Sequence, residues 1–152
     1  MALVLSPAVA ELLKKVAGDR DPELFLADLL VERLDPPQRL ELYVKLHEKY
    51  MAEAEELYSK GDLLQAGEKY WGAVAALLNA IAEKRGMPHY SHRDYAVLID
   101  QLYEETSDEE LLREFAMAER LHANFHNFMG RKQFDTHRAA VLKLVGKLKA
   151  LL

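Results

Sequence analysis

What most constrains this chain is its punctuation: helix start and stop signals recur along it, and no strand pattern lies between them. Ser6-Pro7 places a hydroxyl cap before a proline at a first helical position, and Gly18 supplies the stop. Asp21-Pro22 opens a second helix through about Leu34. Asp35-Pro36 opens a third, with Gln38 at the reach-back position of a capping box. The third helix carries Leu40, Tyr43, Val44, His47, Tyr50 and Ala54 at the 3-and-4 spacing of one buried face, and Gly61 ends it.

Asp62, with Gln65 three residues on, opens a fourth helix that runs to Gly86. Gly67, Gly72 and a series of alanines keep its other faces small. Small residues let a neighbouring backbone approach closely, which predicts a central helix packed on more than one side. A fifth helix spans roughly Arg93 to Glu104, and "SDEE" at Ser107 to Glu110 is a capping box opening a sixth. The seventh is expected from about Asp135 to the end, with Val141, Leu144, Val145, Leu148 and Leu152 inward and Lys143 and Lys147 outward.

No window alternates with period 2 in β-branched residues, so no sheet is assigned. The class is all-α. Long helices joined by short turns give an antiparallel bundle of four or five main helices over residues 35–152, with a helical appendage at 1–34. "AEELYSKGDLLQAGEKYWGAV" also resembles a tetratricopeptide hairpin, but no second copy follows about 34 residues later.

At 152 residues and 17.4 kDa the chain holds one core. No apolar run approaches the roughly 18 residues of a membrane span, and "MALVLSPAVAELLKK" lacks a basic start and a small-residue cleavage site. A cytoplasmic protein without membrane contact is expected. The absence of cysteine excludes disulfides, thiolate zinc sites and cysteine nucleophiles. Few Asn and Gln beside many Lys and Glu point to a thermophile. The charge is uneven: residues 130–152 carry six Lys/Arg against Asp135, a tail of +5 on a body of −10. Such a tail, with Arg138, Lys143 and Lys147, fits self-association, phosphate contact, or a helix face lying beside acidic neighbours.

The polar knot "AERLHANFHNF", residues 118–128, is the densest cluster of chemistry-bearing side chains. At about 100° per residue, Glu119, His122 and His126 share one helix face and Arg120 and Asn124 another. The first face, E-x-x-H-x-x-x-H, has a spacing that lets imidazoles and a carboxylate converge on a metal, but no second Glu-x-x-His helix exists to complete a di-iron bundle. No metal and no cofactor are assigned. Arg120 and His126 pair differently: a guanidinium stabilises charge on a phosphate while an imidazole moves protons, which suffices for metal-independent RNA cleavage. Positions six apart sit about 120° apart on a straight helix, so the pair converges only if the helix bends or a second protomer contributes. Spacing alone also leaves these histidines open as hydrogen-bonded helix edges.

His89, His92 and Arg93, in "GMPHYSHRDY", lie at an interhelical loop where His92 and Arg93 can reach phosphate. Trp71 and Tyr70 are expected in the core or at an interface rather than as base-stacking platforms. Gly-rich nucleotide loops and Gly-x-Ser-x-Gly are absent.

Together, "LDPPQRLELYVKLHEKYMAEAEELYSKGDLLQAGEKYWGAVAALLNAIAEKRG", His92 after the next loop, and "AERLHANFHNF" closely resemble the archaeal PaREP family. Its helical proteins are related to the HEPN (higher eukaryote and prokaryote nucleotide-binding) superfamily. The likeness runs from about Pro7 to the end. It implies a HEPN-like antiparallel bundle, usually a homodimer, that binds RNA, a nucleotide or a protein partner such as a nucleotidyltransferase-like protein. Many HEPN members are ribonucleases with an Arg-x4-6-His motif at the dimer cleft. Arg120 and His126 are the residues here that take those places, which makes a metal-independent endoribonuclease the alternative to a binding module. The chain departs from catalytic members at Leu121, where a polar residue usually follows the arginine. From the polar knot, the interhelical loop and the basic tail, Asn124, His122, Lys143, Lys147, Arg138, His92 and Arg93 are expected among the residues for RNA or partner contact.

Overall fold

The computed structural model describes residues 2–123 and 129–152. Among these there are seven α-helices and no strand: α1 Pro7–Ala17, α2 Pro22–Leu30, α3 Pro36–Ser59, α4 Leu63–Arg85, α5 His92–Thr106, α6 Glu109–Ala123 and α7 Arg131–Leu151. Capping follows the expected chemistry. The side chains of Ser6, Asp21, Asp62 and Ser91 accept from the orphan N–H groups of Val9, Leu24, Gln65 and Asp94. Gly86 ends α4 at φ 66°, a left-handed conformation that a Cβ would disfavour.

Three boundaries differ from the sequence expectation. The second helix tightens into a 3-10 turn at Val31–Arg33, and Leu34 is already extended before the Asp35-Pro36 step. Ser107, at φ 54°, closes α5 through its N–H to the Tyr103 carbonyl at 2.7 Å, so Asp108 caps α6 by accepting from Glu110 N–H at 3.0 Å. Helix α7 starts at Arg131, four residues before Asp135. Burial drives that early start: Phe134 is fully buried and stacks on Tyr58 at 5.9 Å, while Asp135 accepts from the Tyr58 hydroxyl at 2.6 Å.

The chain's contacts divide into two units, Met1–Asp35 and Pro36–Leu152. In the first, α1 packs on α2, and Arg20 pairs with Asp28. Val9, Leu12 and Val16 form an apolar stripe on α1 that is more than half exposed.

In the second unit α4 is central. Every residue from Tyr70 to Ala82 is buried, and α3, α5, α6 and α7 all pack against this helix. Its glycines allow that density. A Cβ on Gly67 would stand 3.1 Å from the Leu121 carbonyl oxygen of α6, and one on Gly72 would stand 3.4 Å from the Tyr50 ring of α3. No described helix is long and apolar enough to cross a membrane.

His47 on α3 illustrates what this core costs a titratable group. Its Nδ1–H donates to the Ala73 carbonyl at 2.8 Å, while Nε2 is buried without a hydrogen-bond partner among the described residues. Burial therefore holds its pKa below the ordinary histidine value. With the folded pKa lowered, the unfolded chain binds the proton more readily. Stability from this group is thus present above about pH 6.5 and is lost as pH falls below it. The expected slope is up to about 1.4 kcal/mol per pH unit below about pH 6.5. Urea unfolding across that range should show it, and His47→Gln should flatten it. Equal slopes in both proteins would contradict the assignment.

Candidate functional site

Three helices of the second unit bring rings together at one place. Glu68 and Trp71 lie three residues apart on α4, His92 and Tyr95 three apart at the start of α5, and Phe115 and His122 seven apart on α6. Each pair shares a helix face. Trp71 is the pivot and is 7% exposed. On its inner side Tyr95 meets it edge-on at 6.0 Å and 76°, and Phe115 at 6.0 Å and 48°.

The imidazoles lie nearly parallel to Trp71. His92 stands 5.7 Å from it at 9°, and His122 5.8 Å from it at 25°. The two imidazoles stand 5.8 Å from one another at 26°. A carboxylate holds the set: His122 Nδ1 lies 3.1 Å from Glu68 Oε2. Since a carboxylate only accepts, Nδ1 carries the proton.

The exposed charges of this end come from neighbouring positions. His92 is exposed at the first position of α5, and the adjacent Arg93 is exposed too. On the last turn of α6, Leu121 is fully buried, which turns Arg120 outward. Of the sequence-predicted residues, His92 and His122 thus meet, with Arg93 and Arg120 on the same two helices. Asn124 and His126 lie outside the described residues.

The basic residues of α7 are placed elsewhere. Arg138 donates to the Tyr70 hydroxyl at 2.7 Å and to Glu55 Oε2 at 2.6 Å, with its guanidinium 4.1 Å from the Tyr58 ring centre. Tyr70 donates to Glu55 Oε1 at 2.7 Å, and its burial pushes the phenol pKa up. Lys147, expected to face outward, is only one-third exposed and is paired with Asp108 at 2.8 Å and Glu114 at 3.0 Å. These pairs hold its pKa above the ordinary lysine value although burial opposes them. Lys143 is exposed and lines an open groove of about 580 Å³ between α6 and α7, beside Glu110, Arg113, Glu114 and Met117. Arg138 and Lys147 therefore tie α7 to its acidic neighbours.

Sequence reasoning missed Glu68, Trp71 and Tyr95 as parts of a site. The i, i+3 step from Glu68 to Trp71 is visible in "EKYW", but apolar periodicity reads it as core. No spacing within one segment reveals that residues 68, 92 and 122 converge.

Chemically, the place offers an exposed imidazole beside an indole and a carboxylate-oriented imidazole, while Arg93 and Arg120 are exposed on the same two helices. The model of the archaeal PaREP1/PaREP8 family matches residues 42–145, a span that holds the whole ring cluster. No curated protein and no solved structure matches the chain.

Proposed function

The chain belongs to the archaeal PaREP1/PaREP8 family, and from that premise we propose that it is a homodimeric, HEPN-like module that binds single-stranded RNA where the first turn of α5 adjoins the last turn of α6. The observation that carries this reading is the exposed His92 ring lying parallel to Trp71 at 5.7 Å, with Arg93 next to it and Arg120 on the facing helix. Unpaired bases stack on aromatic and imidazole faces, and guanidinium groups hold the backbone phosphates between them. The buried Trp71 braces the platform rather than meeting the base. Lys143 lies in the separate groove between α6 and α7, and Arg138 and Lys147 have their charge satisfied within the bundle.

The test is anisotropy of a labelled single-stranded RNA at several salt concentrations, with and without Arg93→Ala and Arg120→Ala. Each phosphate contact contributes about 0.7 to the slope of log affinity against log salt for a single strand. The double variant should therefore bind more weakly with a slope smaller by about 1.4. His92→Ala should lose roughly 5- to 150-fold in affinity, the range of one stacked base. Binding that ignores salt, or that is unchanged in the double variant, would remove this reading. The same mixtures run on a gel in chelator show whether the RNA is cut. Cleavage that disappears with Arg120→Ala and His126→Ala would make the module a ribonuclease.

A further inference from the structure

We propose that His92 and His122 bind a divalent transition-metal ion of the class that imidazole favours, Zn²⁺ or Ni²⁺. This goes beyond the RNA-binding reading and stands without it. A ring nitrogen of His92 lies within 4.8 Å of one of His122. Two imidazole nitrogens each about 2.0–2.1 Å from a shared ion stand no more than about 4 Å apart, so a small side-chain adjustment closes the site.

The bond between His122 Nδ1 and Glu68 Oε2 at 3.1 Å is the arrangement that prepares a histidine for a metal. It fixes the tautomer, orients the ring and raises the basicity of Nε2. The second oxygen, Glu68 Oε1, is buried and has no hydrogen-bond partner among the described residues. A carboxylate oxygen in that state leaves negative charge beside the two rings, and a cation at their nitrogens offsets it. Trp71, Tyr95 and Phe115 form an apolar wall behind the rings, which strengthens the attraction by excluding water from one side.

Two imidazoles without thiolate suit Zn²⁺, Ni²⁺ or Cu²⁺ and not Mg²⁺ or Ca²⁺, which take oxygen ligands. The site differs from the E-x-x-H-x-x-x-H stripe of α6: His122 takes its partner from α5 and its orienting carboxylate from α4.

Trp71, the chain's one tryptophan, lies beside both rings and reports on the site directly. The experiment uses the tag-free full chain, stripped with chelator and free of RNA, titrated with Ni²⁺ while indole emission is followed. Emission should fall to less than half, saturate at one ion per chain and return with EDTA, and Mg²⁺ should have no effect. Glu68→Gln should weaken binding about 10- to 100-fold, the effect of removing an orienting partner. His92→Ala should abolish the saturable quench while helicity by circular dichroism is retained, because His92 is exposed. Absence of a saturable quench in the parent chain, or an equal quench in His92→Ala, would overturn the proposal.

Discussion

Leu121→Ala is expected to lower the unfolding free energy by about 2–5 kcal/mol, the range for emptying a fully buried leucine position. For a chain of this length that is a fall in the thermal midpoint of roughly 4–20 °C, readable in a circular dichroism melt. The size follows from where α6 meets α4. Leu121 is fully buried, and the backbone carbonyl it carries is the atom that a Cβ on Gly67 would approach to 3.1 Å. Backbones that close leave no slack with which to refill the space of a lost isobutyl group. Leu121→Ser should cost more still, because a hydroxyl there also needs a partner. The neighbouring Arg120→Ala, at an exposed position, should change stability by no more than about 0.5 kcal/mol. If Leu121→Ala and Arg120→Ala melted alike, the phase assigned to this last turn, and with it the outward direction of Arg120, would be wrong.

The contrast between these two neighbours also shows what a sequence can disclose. The starts of helices α1, α2 and α4 could be placed from cap chemistry because Ser6, Asp21 and Asp62 act within a few residues of themselves. The early start of α7 has no such local cause. Gly130 caps it without a side chain, and the helix is held there by Phe134 packing on Tyr58 and Tyr70, more than 60 positions earlier. Ser107 was the expected cap of α6, and the left-handed closure of α5 at that residue leaves the place to Asp108. The small residues of α4 correctly announced close approach, yet which backbone would approach Gly67 could not be read from them.

The site follows the same division. His122 and His92 were visible as polar residues at a helix end and a loop, but their nearness depends on how α5 and α6 flank α4. The +5 tail was legible as charge and not as destination. Its Arg138 and Lys147 find Glu55, Asp108 and Glu114 on other helices, contacts that no periodicity encodes. Trp71 was expected in the core, and burial agrees, but its exposed neighbours make the same side chain the floor of the ring cluster.

That double role makes Trp71→Ala the most damaging single change at the site, with an expected loss of about 3–5 kcal/mol. A domain of ordinary stability has only about 5–15 kcal/mol in all, so the variant keeps a fold at low temperature and melts far earlier. Two losses contribute. One is the transfer and cavity cost of removing an indole that is 93% covered and wedged between Tyr95 and Phe115; the other is the contact of that indole with His92 and His122. Comparison with Trp71→Phe separates them. Phenylalanine refills much of the cavity and should recover more than half of the stability, but its smaller ring cannot face both imidazoles at once as the indole does. Denaturant titration followed by circular dichroism gives the first quantity, and RNA anisotropy below the melting range of each variant gives the second. If Trp71→Phe restored stability and full RNA affinity together, the indole would be core alone and the parallel rings an accident of packing. If stability returned while affinity stayed depressed, the helix-helix core would be the physical support of the binding surface.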